Sequence, residues 1–216
     1  MAFGEVGTSL SKIKANSLNL AGTFGFSGTV SGLADETPLV LISTFTSDGS
    51  DSNATFTSGI DSTYKEYLFV FNSIHRQTDG AGFQYQASTD GGSNYNTTVT
   101  NTLFRTYHRE NGDNPTLTYE AAADQAQGTS FIRLDEIDGG ADNDQSLSGI
   151  LRVYNPSSTT FVKHYVGRVQ YAQKDDYSIQ TFTAGYFNTT SAINAFQFEM
   201  SSGEIQGGTI DLFGVV

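Results

Sequence analysis

Residues 193–216 read INAFQFEMSSGEIQGGTIDLFGVV, two alternating runs joined by a short turn. Phe196, Phe198 and Met200 alternate with Gln197 and Glu199, which is the period of a half-buried strand. Ser201, Ser202 and Gly203 supply the turn. After Gly207 and Gly208 the alternation resumes, with Ile210, Leu212 and Gly214 on one side and Thr209, Asp211 and Phe213 on the other. A strand this close to a chain end is ordered only when it is paired inside a sheet. The last run is therefore expected as an interior strand that closes a β-sandwich, with Ile210 and Leu212 facing the core.

The same alternation recurs upstream. Strands are expected over 39–46, 54–60, 66–74, 82–87, 95–104, 116–120, 131–137, 147–154, 160–171 and 178–187. The run EYLFVFNSI at 66–74 is the most hydrophobic and is placed centrally. Residues 82–87 are expected to pair with 95–104 as a hairpin across Asp90-Gly91-Gly92. No segment sustains a helical period, although 125–128 could close one helical turn. Eight to eleven strands at this spacing describe an all-β fold, an antiparallel jelly-roll-like sandwich.

Residues 1–36 differ from the sandwich over 37–216. Leu18, Leu20, Phe24 and Phe26 alternate weakly and are broken by glycines between Gly22 and Gly32. Such a stretch pairs as an extended strand but forms no core alone. It reads as an N-terminal attachment arm that docks on a neighbour by strand addition. The alternative is a leader with no fixed partner.

Charge narrows the partners. Lys and Arg number 11 and Asp and Glu 23, so the formal charge is 11 − 23 = −12. That field repels phosphate backbones, which argues against nucleic acid as a partner. No apolar run reaches 18 residues, so no membrane span is expected, and the first residues lack the apolar segment of a signal peptide. With no Cys there is no disulfide, and with no Trp the large core side chains must be Phe and some Tyr.

Two constellations stand out. Ser88-x-Asp90-x-Gly92-x-x-Tyr95 is similar to a single Asp box of the sialidase propellers, with Tyr in place of Trp. Its physics is local: the Asp caps backbone amides, a glycine takes the left-handed bend, and the aromatic packs beneath. Asp138, Asp142 and Asp144 lie in an acidic stretch with Asp135 and Glu136 around Gly139 and Gly140. Hard cations take such oxygen donors, so calcium is the one cofactor to consider, but the spacing is not that of an EF-hand and a solvated acidic loop accounts for the same residues. His75, His108 and His164 are too far apart for a local metal motif. No nucleophile elbow, phosphate loop or dinucleotide fingerprint is present, so no catalytic residue is assigned. Tyr64, Tyr67, Tyr85, Tyr95, Tyr107 and Tyr119 either line a sugar-binding surface or fill strand positions that Tyr favours.

The ending Phe196-x-Phe198-x-Met200-Ser201-Ser202-Gly203-x-Ile205-x-x-Gly208-x-Ile210-x-Leu212-x-Gly214-Val215 resembles the carboxyl end of small β-jelly-roll proteins of tailed-phage virions, marine phage appendage and decoration proteins among them. The resemblance implies a virion protein made in the host cytoplasm, with no shared active site. It implies an appendage or tail-fibre subunit, anchored by its arm to other virion proteins and assembled with sister subunits, commonly as a homotrimer, with a host surface glycan as a further partner. The alternatives are a capsid decoration or cement protein and a carbohydrate-binding module.

Overall fold

The computed structural model describes residues 38–136 and 138–216. Among them are thirteen strands and no helix: β1 (Leu39–Thr46), β2 (Asn53–Phe56), β3 (Glu66–Arg76), β4 (Phe83–Ser88), β5 (Val99–Arg109), β6 (Thr116–Tyr119), β7 (Gln125–Gly128), β8 (Ile132–Arg133), β9 (Leu147–Tyr154), β10 (Lys163–Gln173), β11 (Tyr177–Phe187), β12 (Ala195–Met200) and β13 (Ile205–Val215). Nine form an antiparallel sheet in the order β1-β13-β3-β9-β10-β11-β5-β6, with β7 also on β5; the other four form a second sheet, β2-β12-β4-β8. The chain changes sheet at each step from β1 to β5 and again from β11 to β13, a jelly-roll-like wrapping. Only β9, β10 and β11 run as a meander.

The two sheets are packed as a sandwich over one aromatic core. Tyr67, Phe69 and Phe71 of β3 face Phe56, Phe83, Phe196 and Phe198 of the smaller sheet. Phe198 is the hub, with its ring centroid 5.0–6.0 Å from those of Phe56, Phe69, Phe71, Phe83 and Tyr85. Three of these pairs are edge-on and two stacked, geometries that add to the burial of each ring.

As the alternation predicts, β13 is interior, hydrogen-bonded to β1 on one side and β3 on the other. Ile210 and Leu212 are buried and Phe213 lies on the opposite face. The hydrophobic β3 is interior too, between β13 and β9.

Two expectations are corrected. Residues 82–87 and 95–104 do not form a hairpin. β4 pairs with β12 and β8 in the smaller sheet, whereas β5 pairs with β11, β6 and β7 in the larger. Turn chemistry is local and serves a sheet-to-sheet crossing as well as a hairpin, so Asp90-Gly91-Gly92 did not specify the pairing. Residues 125–128 form β7 rather than a helical turn. Four residues cannot meet the cost of helix nucleation, and the edge of β5 offers ready backbone partners.

The outer face of the nine-stranded sheet has no second layer among the described residues. Leu41, Phe104, Leu117, Tyr119 and Val166 stand exposed on it.

Candidate functional site

The Asp-box-like turn forms as its chemistry requires. Ser88 Oγ donates to Asp90 Oδ1 at 2.6 Å and accepts from the amides of Asp90 and Gly92 at 3.2 and 3.0 Å. Asp90 Oδ1 accepts from Asn94 N at 2.9 Å and Oδ2 from Asn94 Nδ2 at 2.7 Å. These bonds, the Asn94 side chain first, hold the Asp90 carboxyl down to about 2. Gly92 has φ +91°, and a Cβ there would stand 2.8 Å from Tyr95 Oη. Tyr95 thus packs beneath the turn, with its hydroxyl buried. Ser88, Asp90 and Asn94 bond to one another and to the backbone of the turn, which makes this a structural corner linking the sheets.

The acidic stretch at 135–144 separates into unrelated contacts. Asp135 is buried and paired with buried Arg76, Nη2 to Oδ2 at 3.0 Å, while Oδ1 accepts from Phe83 N at 2.7 Å. Burial pushes its carboxyl up to about 6, against the pull of Arg76. Arg76 also donates to Ala81 O and lies over the Tyr171 ring, 5.7 Å from its centroid. Gly139 lies against the guanidinium, where any Cβ would collide with it. Glu136 pairs with Arg105, and Asp138 with Lys174 at 3.1 Å. Asp142 and Asp144 are exposed. Among the described residues no group of three or more His, Cys, Asp or Glu side chains is placed to hold a metal ion.

The best-furnished cavity, about 260 Å³, lies where the larger sheet projects past the smaller one. Arg105, Tyr107 and Arg109 alternate on β5 and so share its inner face. Tyr177 and Ile179 of β11 stand beside them in register with Arg109 and Tyr107. Gln173, Asp175, Glu136 and Asp138 complete the wall. Arg105 stacks on Tyr107 and Arg109 on Tyr177, each 4.8 Å from the ring centroid. Arg105 is held by Glu120 and Glu136, whereas Arg109 makes no ion pair among the described residues. The wall therefore offers guanidinium donors, carboxylate and amide acceptors and two phenol rings, a set that matches a polar, hydroxyl-rich ligand.

The six tyrosines do not make one surface. Tyr67 and Tyr85 are fully buried in the core, where Tyr67 Oη donates to Asp61 O at 3.0 Å. Tyr95 lies under its turn, Tyr107 lines the cavity, and Tyr119 is exposed with its hydroxyl on Asp124 at 2.5 Å. The histidines are separate as expected: His75 Nε2 meets Asp142 O at 3.1 Å, His108 Nδ1 meets Arg109 O at 2.9 Å, and His164 stands on the outer sheet face. Leu18, Leu20, Phe24 and Phe26 lie outside the described residues. The Arg76–Asp135 pair escaped the sequence reading, because 59 residues separate its members and no local pattern joins them. The R-x-Y-x-R alternation of β5 was the one visible sign of the cavity. No family model, no curated protein and no solved structure matches the chain.

Proposed function

We propose that the chain is a non-enzymatic structural subunit of a tailed-phage virion, of the appendage or tail-fibre type, anchored through residues 1–36 with its sandwich directed outward. One observation carries the reading. The arm leads directly into β1, and β1 is an edge of the nine-stranded sheet among the described residues. This edge is eight residues long, carries no charged side chain, and exposes Leu39 and Leu41. Proteins that stay single protect such edges with charge, proline or a covering element. An uncharged edge at the arm's point of attachment, interrupted by a single bulge between Leu41 and Ser43, is where a partner chain adds by strand pairing. A capsid decoration or cement protein would use the same edge. Binding of the purified protein to particles that lack it tests the proposal: the full chain should bind at a fixed copy number, and a chain with Leu41→Lys and Ser43→Lys on β1 should bind more weakly. Equal binding by both overturns it.

A carbohydrate-binding module is the second reading, supported by the donors, acceptors and rings around the cavity between β5 and β11. Calorimetry with host surface polysaccharides tests it. Under either reading the protein should leave those polysaccharides intact in a reducing-end assay.

A further inference from the structure

We infer that the outer face of the nine-stranded sheet is a self-complementary interface that pairs with the same face of a second copy of this chain about a two-fold axis. The inference goes beyond the virion reading and does not depend on it.

Charge separates this face from the rest of the chain. The strand register points Glu66, Asp211, Arg152 and Arg168 outward, and apart from histidines, His108 and His164 among them, no other acidic or basic side chain among the outward strand positions. Its formal charge is 2 − 2 = 0 on a chain of −12. Each of the four is already held by neighbours in the plane of the sheet. Glu66 pairs with Arg152. Asp211 accepts from Thr44 Oγ1 at 2.6 Å and Asn72 Nδ2 at 3.1 Å. Arg168 lies over the Phe182 ring, 5.5 Å from its centroid. A second copy covering them would bury Glu66 and Arg152 as a pair, and Asp211 and Arg168 with the neutral partners that already hold them. The net charge of the chain, −12, lies elsewhere and works against contacts between copies through its acidic surfaces.

Shape adds a register. Phe104 and Phe182 stack across β5 and β11, ring centroids 4.9 Å apart and planes 8° from parallel, and form a ridge. Phe104 is 42% exposed. Two residues along the same strands, Thr102 and Ala184 line a hollow of about 360 Å³ with Val166, His164 and Tyr186 around it. A two-fold axis lying between the facing sheets, crossing the strands between the ridge and the hollow, sets each ridge over the other copy's hollow. That is an isologous contact, in which residue i meets j and j meets i.

Area suffices. Eight strands ~4.8 Å apart, four to eleven residues long at ~3.4 Å per residue, span a face of roughly 1,200 Å², against about 800 Å² per partner in a standard interface. The resemblance to phage appendages implies a trimer; a neutral face that carries its own ridge and hollow favours a pair.

Sedimentation velocity on the full chain over a concentration series tests this. The wild type should show a reversible monomer–dimer equilibrium. Phe104→Glu on the ridge and Ala184→Glu in the hollow should each raise the dimer dissociation constant on the order of tenfold or more. Thr55→Glu, exposed on the smaller sheet, should leave it unchanged. Should either variant melt at a lower temperature, Thr102→Arg at the rim of the hollow reads the same contact. A wild type that stays monomeric, a trimer, or a dimer indifferent to the ridge and hollow substitutions overturns the inference. Dimerisation without any binding to particles would sustain it while removing the virion proposal.

Discussion

Asp90 and Asp135 have carboxyls shifted in opposite directions, and their effects on stability run opposite ways with pH. Asp90 is held from its ordinary 3.8 to about 2 by the bonds of its turn. The stability it adds is present above 3.8 and is lost as pH falls through 2. The melting temperature should drop across that window, and Asp90→Asn should flatten that part of the curve. Asp135 is shifted up, to about 6, because burial opposes its charge more than Arg76 supports it. What it adds is present below 3.8 and lost as pH rises through 6. Removing one member of this pair leaves a buried charge uncompensated. Asp135→Ala should therefore cost about 3–5 kcal/mol, while Arg76→Met with Asp135→Leu should recover most of the loss. Urea denaturation of the two variants measures this, and a double variant as unstable as the single one would show that the pair's bonds to Phe83 and Ala81 matter more than its charge.

Among the elements, β13 holds the larger sheet together, since it joins β1 to β3. Leu212→Ala should cost about 2–5 kcal/mol, as for other buried leucines, and Phe213→Ala on the outer face much less. Chemical denaturation separates the two; equal costs would show that the strand's faces are assigned wrongly. The position of β13 was legible because one face of an interior sandwich strand is buried, and Ile210 and Leu212 record that burial at a spacing of two. Other elements left weaker traces. β7 has no apolar face to record, because Gln125 to Gly128 attach to β5 by backbone bonds and by Gln127 to the Thr100 hydroxyl. The partners of β4 and β5 were illegible because each has one apolar face whichever sheet it joins. The choice is made by long-range packing of Phe83 and Tyr85 against Phe71, Phe198 and Tyr165. The cavity was missed: the strand was expected to end at residue 104, whereas β5 runs to Arg109 and so sets Arg105, Tyr107 and Arg109 on one face, and Gln173, Asp175 and Asp138 reach the cavity only through the fold.

The whole molecule divides at the boundary where its sequence changes character. Thr37–Val216 forms one compact unit, and among the described residues its buried core cluster is built from residue 54 onward, with Ile42 and Phe45 packed against it. Ordering a residue costs about 1–2 kcal/mol of backbone entropy. An arm with Leu18, Leu20, Phe24 and Phe26 among its glycines recovers that only by burying those side chains against a partner, whereas the sandwich already buries its own. Removing residues 1–36 should therefore leave the melting temperature within about 2 °C of the full chain, a shift that corresponds to about 0.5–1 kcal/mol for a domain of this size. The same truncation should abolish binding to particles. Calorimetry reads the first outcome and co-sedimentation with particles the second. A large fall in melting temperature would assign the arm to the sandwich's own stability. Undiminished binding would assign attachment to the sandwich, and the exposed edge of β1 would then be acting without the arm.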